Sequence, residues 1–237
     1  MVASQSRQDA GADRSRGTAI PAWPLLEEKV AMNAQRSSDS VPVSSWRSAR
    51  LFVTDEFAAP PVILRVNDSV IGTLGNFSAS TGKAQSKKTF NVCAIVAAAM
   101  TGGTVLNYSA SLPPERRRVL YVDTEQSRFH CKRVLCRILR LAGLPTDAHP
   151  PLLEFLCLRD LAHDINSPGE ATDLITKLMQ WTDERRIHIH TVLHLNKGDD
   201  NTRGHLGTEL NNKAETVLQI TKDDFDRDIS SVAAMHI

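Results

Sequence analysis

The chain has 237 residues, 41% apolar and 23% charged, with a formal net charge of +1. That length fits one domain, and the composition excludes a fibrous or membrane-spanning protein. The near-zero charge excludes a global nucleic-acid footprint, so any DNA contact must come from a local basic patch.

Residues 1 to 50 hold many Ser, Arg, Gln, Asp and Ala and show no sustained period. They read as a disordered lead-in with a short helix near Leu25 to Met32, without the apolar core of an export signal. Residues 51 to 237 then form the domain. Val62 to Val66 predicts a strand, Asn67-Asp68 a turn, and Val70 to Phe77 a second strand. Ser78 to Lys88 reads as a loop of small and basic residues. Thr89 to Met100 predicts a buried helix closed by Gly102-Gly103. Within it, Val92 to Met100 is the longest apolar run, far too short to span a membrane. Thr104 to Tyr108 reads as a short strand or an extension of the helix end, and Ser109 to Arg118 as a polar hairpin-like stretch.

Val119 to Asp123 is apolar on both faces, as an internal parallel strand requires. Phe129 to Leu141 predicts a helix that stops at Gly143 and Pro145, followed by a strand over Leu152 to Leu158. Ser167 and Pro168 have the chemistry of an N-cap and first helical residue for a helix over Glu170 to Arg186. Ile187 to Leu195 predicts a strand, Asn196 to Gly207 a polar loop, Val217 to Ile220 a strand and Ser231 to Ile237 a final one. Strands alternating with helices give an α/β fold with a mainly parallel sheet flanked by helices.

Two places carry chemistry. Gly82-Lys83-Ala84-Gln85-Ser86-Lys87-Lys88-Thr89 lies between a strand and a helix. It matches the phosphate-binding pattern of a glycine, four residues, then Gly-Lys-Ser/Thr, except that Lys87 stands where the second glycine belongs. Backbone N–H groups at a helix N-terminus cradle phosphate, with Lys88 reaching the outer phosphates and the Thr89 hydroxyl a magnesium ion. The missing glycine matters because that position can require a backbone shape that a side chain resists. A basic loop that merely caps a helix is the competing reading. The second place is Asp123-Thr124-Glu125, just past the C-terminal end of a buried strand, where open α/β sheets bind ligands. Glu125 is a candidate base for activating water, and Asp123 a candidate to hold magnesium through water. The competing reading makes Glu125 an acidic residue in the first turn of the next helix.

Taken together, Gly82 to Thr89, Tyr121 to Glu125, and Thr191 to Asn196 with Arg203-Gly204 resemble successive elements of RecA-like P-loop ATPases. The branch they look most like is that of RepA-helicase-like ATPases of bacterial plasmids and mobilisable elements, over about Val70 to Ile220. The resemblance implies ATP and Mg2+ as ligands, with Lys88 and Thr89 as their contacts and Glu125 as the catalytic glutamate. It implies that His194 senses the γ-phosphate and that Arg203, with Lys197 as its competitor, acts on a neighbour's nucleotide in a ring. It further implies action on single-stranded DNA in replication or mobilisation. The four cysteines make no disulfide framework in a chain of this size, so a cytoplasmic protein with reduced thiols is expected. A non-catalytic accessory protein and an internally truncated remnant are the alternatives. They arise because the family has another core strand, ending in a metal-binding Asp. Only Arg159 to Asn166 separates Leu158 from Ser167 here, too little for a helix and a strand. The expectation is therefore a sheet that lacks one core strand and exposes apolar residues, with Asp160 and Asp164 as substitutes for the lost carboxylate.

Three further features stand apart. Cys131 and Cys136 are five residues apart, on different faces of one helix, and read as buried thiols rather than metal ligands. His188, His190 and His194 share one strand face and read as polar residues at its ligand-facing end. The basic runs Arg116 to Arg118 and Lys132 to Arg140 read as solvated surface.

Overall fold

The computed structural model describes residues 50–158, 168–196, 198, 201, 202, 204–226 and 228–236. The lead-in helix, Asp160, Asp164, Ser167, Lys197 and Arg203 lie outside the described residues. The chain divides into a unit ending at Phe57 and a second from Ala58 to Ile237. In the first, the Asp55 carboxylate accepts a hydrogen bond from the Phe52 backbone N–H.

In the second unit, β1 (Val62–Val66) and β2 (Ser69–Thr73) form an antiparallel hairpin turned at Asn67, whose φ is 48°. The expected strand over Val70 to Phe77 is broken at Gly75, where φ is 92°, and the chain resumes as β3 (Phe77–Gly82) in a different sheet. Helix α1 (Lys88–Thr101) follows, ending at Gly102 in the left-handed conformation expected of a helix stop. The short strands β4 (Thr104–Val105) and β5 (Tyr108–Ala110) then complete the first sheet in the order β2-β1-β5-β4. The remaining elements are β6 (Val119–Asp123), α2 (Arg128–Leu141), β7 (Leu153–Cys157), α3 (Pro168–Arg185), β8 (Ile189–His194), α4 (Gly204–Lys213), β9 (Thr216–Lys222) and β10 (Ser230–His236).

β3 lies parallel between β8 and β9, and β10 adds antiparallel to β9. β6 and β7 pair in parallel as a separate sheet. The fold is thus α/β, but its pairing is mixed rather than mainly parallel. Strands that a helix connects run parallel, because the crossover returns the chain to its starting end. The strands joined by tight turns, β1 with β2 and β4 with β5, run antiparallel.

Helix α1 is buried on nearly every side, which its run of Ala, Val and Cys permits. It packs with Ile71, Ile138, Leu153 and Leu218 in the larger core cluster. A second cluster joins Phe77 and Val217 to Ile175 of α3 and Leu210 of α4. Alternating residues of β9, Val217 and Leu218, thus serve different clusters, and this sheet is covered on both faces.

All six residues of β3 are buried, including Ser78, Ser80 and Thr81. The two serine hydroxyls are satisfied by His188, just before β8, and His190 within it. The Thr73 carbonyl can only accept, so His188 Nδ1, 2.9 Å away, carries a proton. With that ring neutral, its Nε2 accepts from Ser78 Oγ at 2.8 Å, and Ser78 Oγ accepts in turn from His190 Nδ1 at 2.7 Å. With His190 neutral as well, its Nε2 accepts from Ser80 Oγ at 2.8 Å. For neutral rings this is the one proton arrangement that closes the chain. His188 and His190 are accordingly not at a ligand-facing strand end; they hold the central strand.

Burial lowers the pKa of His188, opposed by the Thr73 carbonyl and the Glu215 charge. Burial, and then the neighbouring His188, lower that of His190 to about 3. Both rings bind protons more readily when unfolded, where a histidine titrates near 6.5. Their contribution is complete above that pH and shrinks as the pH falls from about 6.5 toward the folded value. Each histidine should tilt stability by about 1.4 kcal/mol per pH unit in that window. Urea unfolding at pH 7.5 and pH 5 checks this. His190→Gln should be less stable at pH 7.5 and should show a shallower loss on acidification; an unchanged pH slope contradicts the hydrogen-bond chain.

Candidate functional site: the loop after β3 and the turn after β6

β3 delivers the chain to the C-terminal edge of its sheet at Gly82, and residues 83–87 turn back before α1 begins at Lys88. The turn depends on two tight features. A Cβ on Gly82 would lie 2.4 Å from the Ile220 carbonyl oxygen and 2.5 Å from Ser86 Oγ, so no larger residue fits there. Lys87 adopts the left-handed conformation, φ 66° and ψ 24°, at the position where the sequence pattern wants glycine. Gln85 is left-handed as well, with φ 64°. A lysine pays roughly 1–2 kcal/mol for that shape. The Lys87 carbonyl is held by the Asn91 backbone N–H and by its Nδ2, both at 3.1 Å, and the Tyr108 hydroxyl donates to Asn91 Oδ1 at 2.9 Å. These bonds from α1 and β5 fix the strained residue.

Lys88 is buried, with only 6% of its surface exposed. Its Nζ folds back to donate to the carbonyls of Gly82 at 2.6 Å and Lys83 at 2.8 Å. Burial pulls its pKa below the usual lysine range, while the charge of Glu125 acts the other way. The ammonium therefore stands at the mouth of the loop within the field of Glu125. Thr89, half-buried, is the next residue of α1. Ser86 Oγ is buried inside the loop without a hydrogen-bond partner, an orphaned donor in a place built of backbone amides.

Across the site, Asp123 ends β6 buried, and its carboxylate is fully engaged by its own turn. Oδ1 accepts from the backbone N–H of Glu125 at 3.1 Å and of Gln126 at 2.8 Å, and Oδ2 from Gln126 Nε2 at 2.7 Å. This Asx turn sets the direction of Glu125. The first turn of α2 holds no acidic residue, so Glu125 stands before the helix and the helix dipole does not account for its place. Its carboxylate meets His194 Nε2, at the end of β8, at 3.3 Å. Both side chains are open to water, where such a pair contributes little stability.

Glu125 and His194 thus meet from the turn after β6 and the end of β8, and Lys88 of α1 lies within the field of Glu125. An open polar cavity of about 710 Å³, lined by Asn196, Thr202, His205 and Asn211 among others, lies beyond β8, and none of these three residues lines it. Among the described residues no group of three His, Cys, Asp or Glu side chains is placed to hold a metal ion, and no helix is long and apolar enough to cross a membrane.

Beside this site β6 pairs only with β7 and β8 only with β3 among the described residues, so each keeps an open edge. Leu120 and Val122, on one face of β6, are 50% and 44% exposed, and Val192 of β8 is 44% exposed. Sequence reading also missed two elements. β3 read as loop because Ser-Ala-Ser-Thr is polar, and α4 read as loop because its only apolar signal is Leu206 and Leu210 at a spacing of four, continued by Ala214.

No family model matches the chain, and no curated protein is significantly similar to it. Among solved structures it is similar to the crystal structure of the RadB recombinase, at 13% identity and a TM-score of 0.44, over 69% of this chain and 88% of that one.

If Lys87 carries the strain of the loop, Lys87→Gly should keep or raise stability, by up to about 1 kcal/mol. Lys87→Val, whose branched side chain resists the left-handed region, should cost a further 1–2 kcal/mol or so. Urea melts of the two variants check the ordering, and an equal effect of both contradicts it.

Proposed function

We propose that this chain is a nucleotide-binding protein of the RecA-like P-loop type that binds ATP with Mg2+ at Gly82 to Thr89 and hydrolyses it with Glu125. The observation that carries the reading is the loop itself. Lys87 accepts a left-handed backbone, and buried Lys88 has only backbone carbonyls for partners, in the field of Glu125. A basic loop that only caps a helix needs neither the strain nor a buried ammonium.

The residues fit a phosphate. Gly82 admits close backbone approach, Ser86 Oγ is an orphaned donor, and the first amides of α1 point their dipoles outward. In use, Lys88 would exchange the Gly82 and Lys83 carbonyls for phosphate oxygens, and Lys83, Ala84, Gln85, Ser86 and Lys87 would contribute backbone N–H groups. For magnesium the chain offers the Thr89 hydroxyl directly. Asp123, already bonded three times, would act through water, in keeping with an ion that takes few protein ligands beside phosphates and water. When bound, the ion supplies positive charge against the phosphate oxygens. Glu125 would leave His194 and take a proton from the attacking water, and His194 would then face the terminal phosphate. Arg203, as a residue acting on a neighbour's nucleotide in a ring, single-stranded DNA as effector, and service to a mobile element are parts of the proposal supported only by the resemblance in sequence; the cytoplasmic setting is supported by the cysteine usage.

A second reading, nucleotide binding without turnover, is favoured by the open edges of β6 and β8. A strand between them would have carried another carboxylate to the site. One experiment separates the two. ATP affinity and turnover are measured with and without single-stranded DNA for the wild type, Lys88→Ala and Glu125→Gln. Lys88→Ala should weaken ATP binding at least tenfold, the equivalent of one charge-assisted hydrogen bond. Glu125→Gln should keep affinity and lower kcat by a factor of about 10²–10⁴. Binding without any wild-type turnover selects the second reading, and wild-type affinity in Lys88→Ala overturns both.

A further inference from the structure

Two of the four cysteines meet where their sequence spacing gives no hint of it. Cys131 is buried on α2, and Cys157 is half-buried at the end of β7. The Cys131 thiol donates to the Gln126 carbonyl oxygen at 3.6 Å, and the Cys157 thiol donates to the same oxygen at 3.4 Å. Both thiols therefore converge on one carbonyl oxygen. The parallel register of β6 with β7, which sets Asp123 beside Cys157, brings the second thiol under the turn that starts at Asp123. Cys93 is buried on α1 next to Arg137, and Cys136 lies five residues beyond Cys131 on another face of α2, so neither competes for the pair.

We propose that Cys131 and Cys157 form a reversible disulfide that fastens β7 to α2 beneath the turn carrying Glu125. The inference does not depend on nucleotide binding. A low-molecular-weight disulfide such as oxidised glutathione supplies the oxidising equivalents. The Cys157 thiolate, the more accessible of the two, attacks one glutathione sulfur, and the glutathione S–S bond breaks with release of one glutathione thiolate. The Cys131 thiolate then attacks the Cys157 sulfur and expels the second glutathione thiolate. The protein loses two electrons and two protons, and one glutathione disulfide becomes two glutathione thiols.

Burial, and then the neighbouring Cys157 thiol, push the Cys131 thiol up to about 11. Cys131 is therefore suited to the second, intramolecular step, where proximity replaces acidity. Oxidation also removes both S–H donors from the Gln126 carbonyl. The backbone and side-chain N–H groups of Gln126 hold the Asp123 carboxylate, so the change reaches the turn that aims Glu125.

The full chain, first reduced, is incubated with oxidised glutathione under anaerobic conditions. The expected product has lost two hydrogens and two of its four titratable thiols, retains no glutathione, and yields a peptide cross-link between Cys131 and Cys157. Its Tm should rise by roughly 6–12 °C, as closure of a loop of this length implies, and should fall again on treatment with dithiothreitol. Cys131→Ser should stop at one glutathione on Cys157. A wild-type protein that keeps glutathione on Cys157 without closing, a cross-link involving Cys93 or Cys136, or no reaction at all would overturn the proposal.

Discussion

The burial of β3 is the constraint on which the rest of the structure depends. It is flanked in parallel by β8 and β9, covered on both faces, and has no room for large side chains where it ends. Small residues meet the last requirement, but Ser78 and Ser80 bring hydroxyls into a place without water. His188 and His190 resolve that conflict by donating and accepting in one direction from Ser80 to the Thr73 carbonyl. A buried polar network of this kind is favourable only when every member is satisfied. The network is sensitive to acid, because burial disfavours the charged form of both rings.

From the end of β3 the same economy of space shapes the loop. Gly82 is forced by the Ile220 carbonyl and Ser86, and the turn that follows leaves Lys87 in a left-handed backbone held by Asn91 and Tyr108. Strain of this sort persists where the surroundings over-determine it, and it tends to cluster at ligand sites. The loop folds the Lys88 ammonium back onto the Gly82 and Lys83 carbonyls, within the field of Glu125. Among the described residues β6 and β8 belong to separate sheets, and Glu125 meets His194 in a contact open to water. The loop is thus tightly held by packing and hydrogen bonds, whereas the Glu125–His194 side is loosely held.

Much of this was legible in the sequence, and the failures have physical causes. The strand Val119 to Asp123 and the next two helices, α2 and α3, were readable because their apolar residues follow simple periods. β3 was not, since Ser-Ala-Ser-Thr-Gly has the composition of a loop and only its partners, His188 and His190, reveal it as core. Those histidines were in turn misplaced, because a two-residue period gives a face but not what lies against it. The strain at Lys87 was anticipated from a single missing glycine. That Cys157 meets Cys131 depends on a contact distant in sequence, which spacing does not encode.

The central claim is that the loop from Gly82 to Thr89 holds phosphate and works with the turn at Glu125. Hydrogen–deuterium exchange of the full chain, with and without ATP and magnesium, tests it most directly. Binding should slow exchange at the amides of residues 83–89, and the turn over residues 124–126 should change with them. Unchanged exchange at 83–89 under saturating nucleotide, or protection confined to the polar cavity beyond β8, would contradict the account.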